Sequence, residues 1–529
     1  MKQEEDRQGK IKEAMALHQE GKIREAIEIY EAVLPYEESN SQLLYLLGTA
    51  YYQIHRLNDA ESFLKKSVEL DPSQAGAHSN RGLTFEALGK LGEALECFDH
   101  ALSINPKFSG AHSNRGGLLK QMGRLDEALL SYDAALEVNP KYAEAHYNKG
   151  LVFQDLDKLE AAVNAYDAAL AINPGYAEAL SNRGNALRGL NRLDEALSSY
   201  DAALRINPNF AEATWNKSYI LLLQGRYLDG WRLYEWRRRL TLIQNAFRPQ
   251  GNPLLPDTVI TDNPIIFIYS EQGLGDAIQF CRYAKLLAKE EAQILLQVPK
   301  TLQGLMTSLD PNITFVNSEK GVPQFDYQTS LMSLPWIFQT TLETVPSEPS
   351  YLSAPEHARN AWSEKLGAKM KPRVGLVWAG GSDHTNDQRR SIPLEQLISI
   401  LNPSFEWHSI QRDYRERDPE ILKGHPEILQ HQDLIQDFAD TAALVEQMDL
   451  IISVDTSVAH LAGALGKPVW ILLPYVPDFR WLMNREDSPW YPSARLYRQD
   501  ERMSWDTVID RVKQDLAHAL IKQDLKTKV

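Results

Sequence analysis

Residues 82–106 read "GLTFEALGKLGEALECFDHALSINP". Two stretches with apolar residues at helical spacing flank a short turn, "LGKLGEAL", and the second ends at Asn-Pro. Proline cannot continue a helix, so the unit closes there. The same design returns on both sides. Pro72, Pro106, Pro140, Pro174 and Pro208 are spaced 34 residues apart, and Gly48, Gly82, Gly116, Gly150 and Gly184 keep the same period. So do Ala60, Ala94, Ala128, Ala162 and Ala196. Small residues at fixed positions let paired helices approach closely. Residues 7–40 form a looser first unit with Ala26 and Tyr30 in phase, and 211–244 a degenerate seventh with Gly230 at the alanine position. A degenerate terminal unit is expected where an array caps or docks.

This pattern resembles the tetratricopeptide repeat (TPR), which implies an all-α superhelix. Asn80, Asn114, Asn148, Asn182 and Asn216 recur on the inner helix of successive units. Stacking would line them along a concave groove, where each amide could pair with an extended peptide backbone. The alternative is that asparagine is simply common at this position. His78, His112 and His146 share the period and are expected to pack between helices; 34 residues of solenoid between them argue against a metal site.

The chain has 529 residues, a formal charge of −15 and only two cysteines, Cys97 and Cys281. An acidic total disfavours nucleic-acid or anionic-membrane binding. Two isolated cysteines suggest neither a disulfide framework nor zinc, and a reducing compartment fits. The start, "MKQEEDRQGKIKEAM", lacks an apolar signal core, and no apolar run approaches the roughly 20 residues that span a bilayer. A cytoplasmic protein without a transmembrane segment is expected.

Helical periodicity stops near 240–262, where Pro249, Pro253, Pro256 and Pro264 argue against helix. Trp231, Tyr234 and Trp236 read as the apolar face of the last repeat helix, and Arg237–Arg239 as a solvated helix end. Beyond 262 short β-rich runs alternate with helical ones: "PIIFIYS", "QILLQVP" and "ITFVNS", then "RVGLVWAG", "FEWHSIQ", "LIISVD" and "PVWILLP". Two such series imply two Rossmann-like lobes of parallel sheet, with ligands beyond the strands' carboxyl ends. The expected organisation is a repeat array at 1–244, a linker at 245–262, an N-terminal lobe at 263–355 and a C-terminal lobe at 356–529.

Four loops are thereby selected: Glu271–Asp276, Ala379–Arg390, Gln411–Arg415 and Asp455–His460. In "YSEQGLGDAIQF", 269–280, a strand meets Gly273 and Gly275, but Ile278 stands where a dinucleotide fingerprint has its third glycine. Asp276 lies at the helix start, either as a simple cap or as a functional carboxylate. At 455–460, Asp455, Thr456 and Ser457 open a helix whose first amides suit an anion, with His460 one turn on. Gly380, Arg389 and Arg390 line the loop at 379–390, with Ser391 expected to cap the next helix. Arginines oppose a helix start electrostatically, so phosphate pairing explains them better than a salt bridge to Asp383 or Asp387.

"EQGLGDAIQFCRYAKLL", "VGLVWAGG", "RRSIPL", "DTSVAHLAGALGKPVWILLP" and "SPWYPSARLYRQ" resemble glycosyltransferase family 9, the heptosyltransferase-like family. More closely, the whole plan is similar to bacterial fusions of TPR repeats with such a domain, akin to O-linked N-acetylglucosamine transferases and repeat-containing flagellin glycosyltransferases. The resemblance implies a GT-B α/β fold, a nucleotide-sugar donor in the C-terminal lobe and an acceptor reached from the N-terminal lobe. It implies metal-independent, inverting transfer, and the second half has no Asp-x-Asp. It makes Asp276 the candidate general base and Asp455, Thr456 and His460 the donor-diphosphate motif, with His460 beside Asp276 as the candidate catalytic residues. Gly273, Gly275, Gly380, Gln411, Ser457 and either Arg389 or Arg390 complete the donor side. Ser457 stands where many heptosyltransferases have glycine, which puts heptose in doubt. The expected function is transfer of a sugar to a protein or peptide held by the repeat groove. The alternatives are a transferase for a cell-envelope glycan, its repeats recruiting partners, and a non-catalytic scaffold.

Overall fold

The computed structural model describes residues 2–240, 251–258, 263–289, 292–316, 321–381 and 387–526. The expected linker at 245–262 and the pairing with Asp383 fall wholly or partly outside them. The chain packs as two compact units, Met1–Pro208 and Asn209–Val529.

The first unit is all helix. Its antiparallel pairs are α1 (Lys2–Gln19) with α2 (Ile23–Val33), α3 (Ser41–Gln53) with α4 (Leu57–Leu70), and α5 (Ala75–Ala87) with α6 (Leu91–Ile104). They continue as α7 (Ser109–Gln121) with α8 (Leu125–Val138), α9 (Ala143–Asp155) with α10 (Leu159–Ile172), and α11 (Ala177–Gly189) with α12 (Leu193–Ile206). The periodic glycines are where paired helices touch. A Cβ on Gly82, Gly116, Gly150 or Gly184 would lie 2.5–2.9 Å from the ring of Phe98, Tyr132, Tyr166 or Tyr200. The turn inside each unit needs one residue at positive φ. His55, Gly89, Gly123, Asp157 and Asn191 occupy that position, 34 residues apart, with φ between 57° and 75°.

The junction between units explains the other periodic residues. The Oδ1 of Asp71, Asn105, Asn139 and Asn173 each accepts the backbone N–H two residues on, at 3.0–3.2 Å. This turn turns the chain toward the next helix. The periodic histidines are half-buried, and the His78 ring meets that of His100 on the paired helix with 5.7 Å between centroids. His78, His112 and His146 each place Nε2 2.9–3.1 Å from the carbonyl of Pro72, Pro106 or Pro140. Each of these carbonyls lies in the turn between units, one residue past a helix cap, and the ring nitrogen supplies its partner.

The second unit opens with the seventh helix pair, α13 (Ala211–Leu223) and α14 (Tyr227–Tyr234), followed by a 3₁₀ turn at Glu235–Arg239. Next come β1 (Asn252–Pro253), β2 (Ile265–Tyr269), β3 (Gln293–Gln297), β4 (Ile313–Phe315) and β5 (Tyr327–Ser330). They form a parallel sheet in the order β1-β5-β2-β3-β4. A second parallel sheet contains β6 (Arg373–Val377), β7 (Glu406–Ser409), β8 (Ile428–Gln430), β9 (Leu450–Val454), β10 (Val469–Leu473) and β11 (Ala494–Arg498). Its order is β11-β10-β9-β6-β7-β8. Continuous apolar strands such as "VGLV" and "IISV" fit sheets covered on both faces. The closing helix Asp506–Lys526 contributes Val508, Ile509, Val512 and Leu516 to the core over Val374 and Leu376.

The seventh repeat is part of this α/β unit. Trp231 meets Phe280, Phe479 and Trp490 at 5.6–6.5 Å between ring centroids, and Trp490 Nε1 donates to Tyr227 Oη at 3.1 Å. Arg237 corrects the expectation of a solvated helix end. Its side chain is 0% exposed, paired with Glu271 at 2.6 Å and Glu235 at 2.6 Å. It also donates to the hydroxyls of Ser333 at 2.8 Å and Ser330 at 3.4 Å. The strand order of the first sheet reverses between β2 and β5, so this guanidinium stops the crevice at that switch point. A charge run cannot announce such burial: Glu235 is two residues away, but Glu271, Ser330 and Ser333 lie 34, 93 and 96 residues on.

Candidate functional site

Parallel strands deliver their following loops to one edge of a sheet. In the second sheet the winding reverses between β6 and β9, so the loops after these two strands diverge and leave a crevice between them. Arg390 closes one side: its Nη1 donates to the Asp455 carbonyl at 3.1 Å. Gly380 makes room for it, since a Cβ there would lie 2.3 Å from Arg390 Nη2. The alternative, a salt bridge to Asp387, is long, 3.9 Å, because Asp387 is taken by Arg415 and by the Ser391 hydroxyl at 2.9 Å. Ser391 therefore does not cap the helix at Leu394–Leu397, whose N-cap is Pro393. Arg389 is half-buried, and burial pulls its guanidinium pKa down.

The helix after β9 runs Ser457–Ala464 with Thr456 as N-cap. The Thr456 hydroxyl turns to Ser453 Oγ at 3.1 Å and makes no capping bond. The helix start thus keeps amides that no side chain caps, which suits an anion. His460, one turn on, is 5% exposed. Its Nδ1 lies 2.9 Å from Tyr491 Oη, its ring stacks on Trp481 at 5.1 Å, and Nε2 is 3.9 Å from Asp455 Oδ1. Burial, with Arg480 nearby, pushes His460 down to about 3, so the ring is neutral at physiological pH. Burial beside Asp478 raises Asp455.

The glycine turn of the first sheet faces this helix. A Cβ on Gly275 would lie 2.9 Å from His460 Cδ2 and 3.6 Å from Ser457 Cα. Only glycine lets the two loops meet. Asp276 uses one oxygen to accept the Gly273 N–H at 2.9 Å, the reach-back half of a capping box. Its other oxygen pairs with Arg480, whose second carboxylate partner is Asp478 at 2.6 Å. Burial opposes the charge on Arg480, but Asp276 and Asp478 outweigh it and hold its pKa well above the usual value. Asp478 in turn is lowered, because Arg480 and the Tyr219 hydroxyl outweigh its burial. Asp276 is therefore both a cap and a member of a charged cluster.

The fold gathers Gly273, Gly275, Asp276, Gly380, Arg390, Asp455, Thr456, Ser457 and His460. Gln411 stands behind the crevice as a brace: Oε1 accepts from the N–H of Trp378 and Ala379 at 3.2 and 3.1 Å, and Nε2 donates to two carbonyls at 3.0 Å. Arg480, Asp478, Trp481 and Tyr491 were not legible as site residues. "PDFRWL" has no periodicity, and only the lone arginine amid aromatics could have flagged it. In the first unit, Asn80 donates to Thr49 Oγ1 at 2.8 Å and Asn182 to Tyr147 Oη at 3.0 Å. Asn114 and Asn148 are half-buried, and Asn216, in the second unit, is buried.

Comparison with known proteins agrees with both halves of this picture. Tetratricopeptide repeat models match residues 17–79, 75–108, 143–176 and 177–210, and a further TPR repeat model matches 117–157. The model of glycosyltransferase family 9 (heptosyltransferase) matches 436–481, the segment that carries Asp455, His460 and Arg480. The chain joins TPR repeats to a glycosyltransferase family 9-like segment. Protein FlbA of Caulobacter vibrioides is 27% identical over 323 residues, covering 56% of this chain and 53% of that one. The chain thus spans about half the length of this curated relative. Among solved structures, YrrB is 23% identical over 35% of this chain and 95% of its own, with a TM-score of 0.30. The pilF protein of Pseudomonas aeruginosa is 21% identical over 39% and 93%, with a TM-score of 0.36. Among the described residues no helix is long and apolar enough to cross a membrane, and no His, Cys, Asp or Glu group could hold a metal ion.

Proposed function

We propose that the second unit is a glycosyltransferase of the two-lobed GT-B type that moves a sugar from a nucleotide-sugar donor to a protein or peptide held by the repeats. The observation that carries this reading is the meeting of two loops from two parallel sheets: the Gly273–Asp276 turn against Ser457 and His460. The donor's diphosphate would lie at the helix start Ser457, with Arg390 beside it. The acceptor hydroxyl would attack the anomeric carbon as the bond to the diphosphate oxygen breaks. Asp276 would take the hydroxyl proton, and the nucleoside diphosphate would leave with the bonding electrons. Arg390 and Arg480 would balance the charge that develops on the leaving group, without a metal. Neutral His460 would offer a hydrogen bond, its orientation fixed by Tyr491.

The family match over residues 436–481 supports the transferase class, and TPR repeats support a protein partner. Turnover of a panel of nucleotide sugars tests the reading. Asp276→Asn and His460→Ala are expected to lower turnover at least about a hundredfold; full turnover in both would overturn the assignment. One observation favours a non-catalytic scaffold: both Asp276 oxygens are engaged. A melting temperature that no nucleotide or nucleotide sugar raises would decide for that scaffold. Labelled sugar found in lipid or polysaccharide, and none in protein, would place the acceptor in the envelope.

A further inference from the structure

We propose that the seventh repeat supplies a positioning residue for the candidate transfer site: Tyr219, on α13, fixes the charge pairing of Asp276 through Asp478 and Arg480. This inference rests on the transferase reading and deepens it. Tyr219 Oη donates to Asp478 Oδ2 at 2.6 Å. The other oxygen, Oδ1, accepts the Arg480 backbone N–H at 3.0 Å and its Nη1 at 2.6 Å. Arg480 Nη2 then pairs with Asp276 Oδ1, and Asp276 Oδ2 holds the Gly273 N–H. The contacts run unbroken from an inner repeat helix to the glycine turn.

Packing reinforces the direction of the relay. The Tyr219 ring meets Phe479 edge-on at 5.2 Å, and the Arg480 guanidinium lies over the same Phe479 ring at 4.3 Å and over Phe280 at 5.7 Å. Arg480 Nε is buried without a partner. A guanidinium that leaves a buried donor unmade is held by its two carboxylates and not by its own best hydrogen-bonding geometry. The second carboxylate offsets part of the cation's pull on the first, because a like charge nearby favours the protonated form. Tyr219 keeps Asp478 oriented for its share and so leaves Asp276 able to accept a proton. Without the hydroxyl, Asp478 is held by Oδ1 alone, and Arg480 shifts toward Asp276.

The test uses the full chain and nucleoside diphosphate release from UDP-, GDP-, dTDP- and ADP-sugars. Tyr219→Phe keeps the ring and removes the hydroxyl. It is expected to lower kcat about tenfold while the donor KM changes less than about twofold. Asp478→Asn is expected to lower kcat similarly, and the double variant to be no worse than Asp478→Asn alone. Unchanged kcat in Tyr219→Phe, a change in KM alone, or losses that multiply would overturn the relay. A second arm is independent of activity: melting shifts of Tyr219→Phe, Asp276→Asn and their double. Coupled residues give a double shift smaller than the sum, and an additive result overturns the relay. If the parent turns over none of these sugars, the transferase reading fails, while the melting cycle still decides whether Tyr219 and Asp276 are linked.

Discussion

Arg237 carries no catalytic role here, yet its removal is expected to be costly. Its guanidinium is fully buried against Glu235 and Glu271. Arg237→Met would leave Glu271 buried without its cation, while Glu235 keeps Arg238 at 3.8 Å, and is expected to destabilise the second unit by about 3–5 kcal/mol in denaturant melts. His460 makes a prediction about pH. Its folded pKa, near 3, lies below the ordinary value of 6.5, so the unfolded chain takes up the proton first. Stability is then full above the ordinary value and falls as pH drops from there toward 3, by at most about 1.4 kcal/mol per pH unit. His460→Gln should flatten this loss in melts between pH 6.5 and 4. A residual slope is expected from His431, pushed down to about 4 by burial beside His408, and from His408 itself, lowered by its own burial. An unchanged slope would mean that His460 is not desolvated in solution.

At the scale of elements, the repeat is held together by what its small residues exclude. Gly150→Ala would put a Cβ 2.5 Å from the Tyr166 ring and force α9 and α10 apart. The expected cost is about 1–3 kcal/mol, read as a lower denaturant midpoint. The opposite sign is expected at the turn inside the second repeat. His55 has φ 59°, where Gly89 and Gly123 serve in later units. His55→Gly should stabilise by up to about 1 kcal/mol, as left-handed strain is relieved. A loss of stability would show that the His55 side chain contributes more than its backbone strain costs. The repeat helices, their turns and most strands were legible because each repeats a local rule many times. Short elements such as β1, with two residues, carry no periodicity to read.

At the scale of the whole molecule, the repeat pattern and the packing part company. The pattern runs through residue 244, but compactness divides the chain after Pro208. Tyr227, Trp231, Tyr234 and Arg237 are buried within the second unit. A fragment beginning at Asn209 is therefore expected to fold and to unfold cooperatively. One beginning at residue 245 should expose the Phe280, Phe479 and Trp490 cluster, lose Arg237, and aggregate or melt early. Circular dichroism melts of both fragments check this, and equal stability would reduce the seventh repeat to an accessory.

The amino-acid sequence by itself determined whatever is local or periodic: 34-residue helix pairs, closed by Asn-Pro or Asp-Pro, then alternating strands and helices with glycine turns where loops must come close. It singled out Asp276, the pair Arg389 and Arg390, Asp455 and His460, because a loop after a parallel strand is a predictable place. Only the tertiary structure decided what those residues touch. Whether Asp276 was a cap or a charged partner could not be read along the chain, since Arg480 stands 204 residues away. Tyr219, 259 residues from Asp478, was further still from legible. Ion pairs and hydrogen bonds between distant elements leave no period in a sequence. They depend on which loops two parallel sheets bring to the same edge.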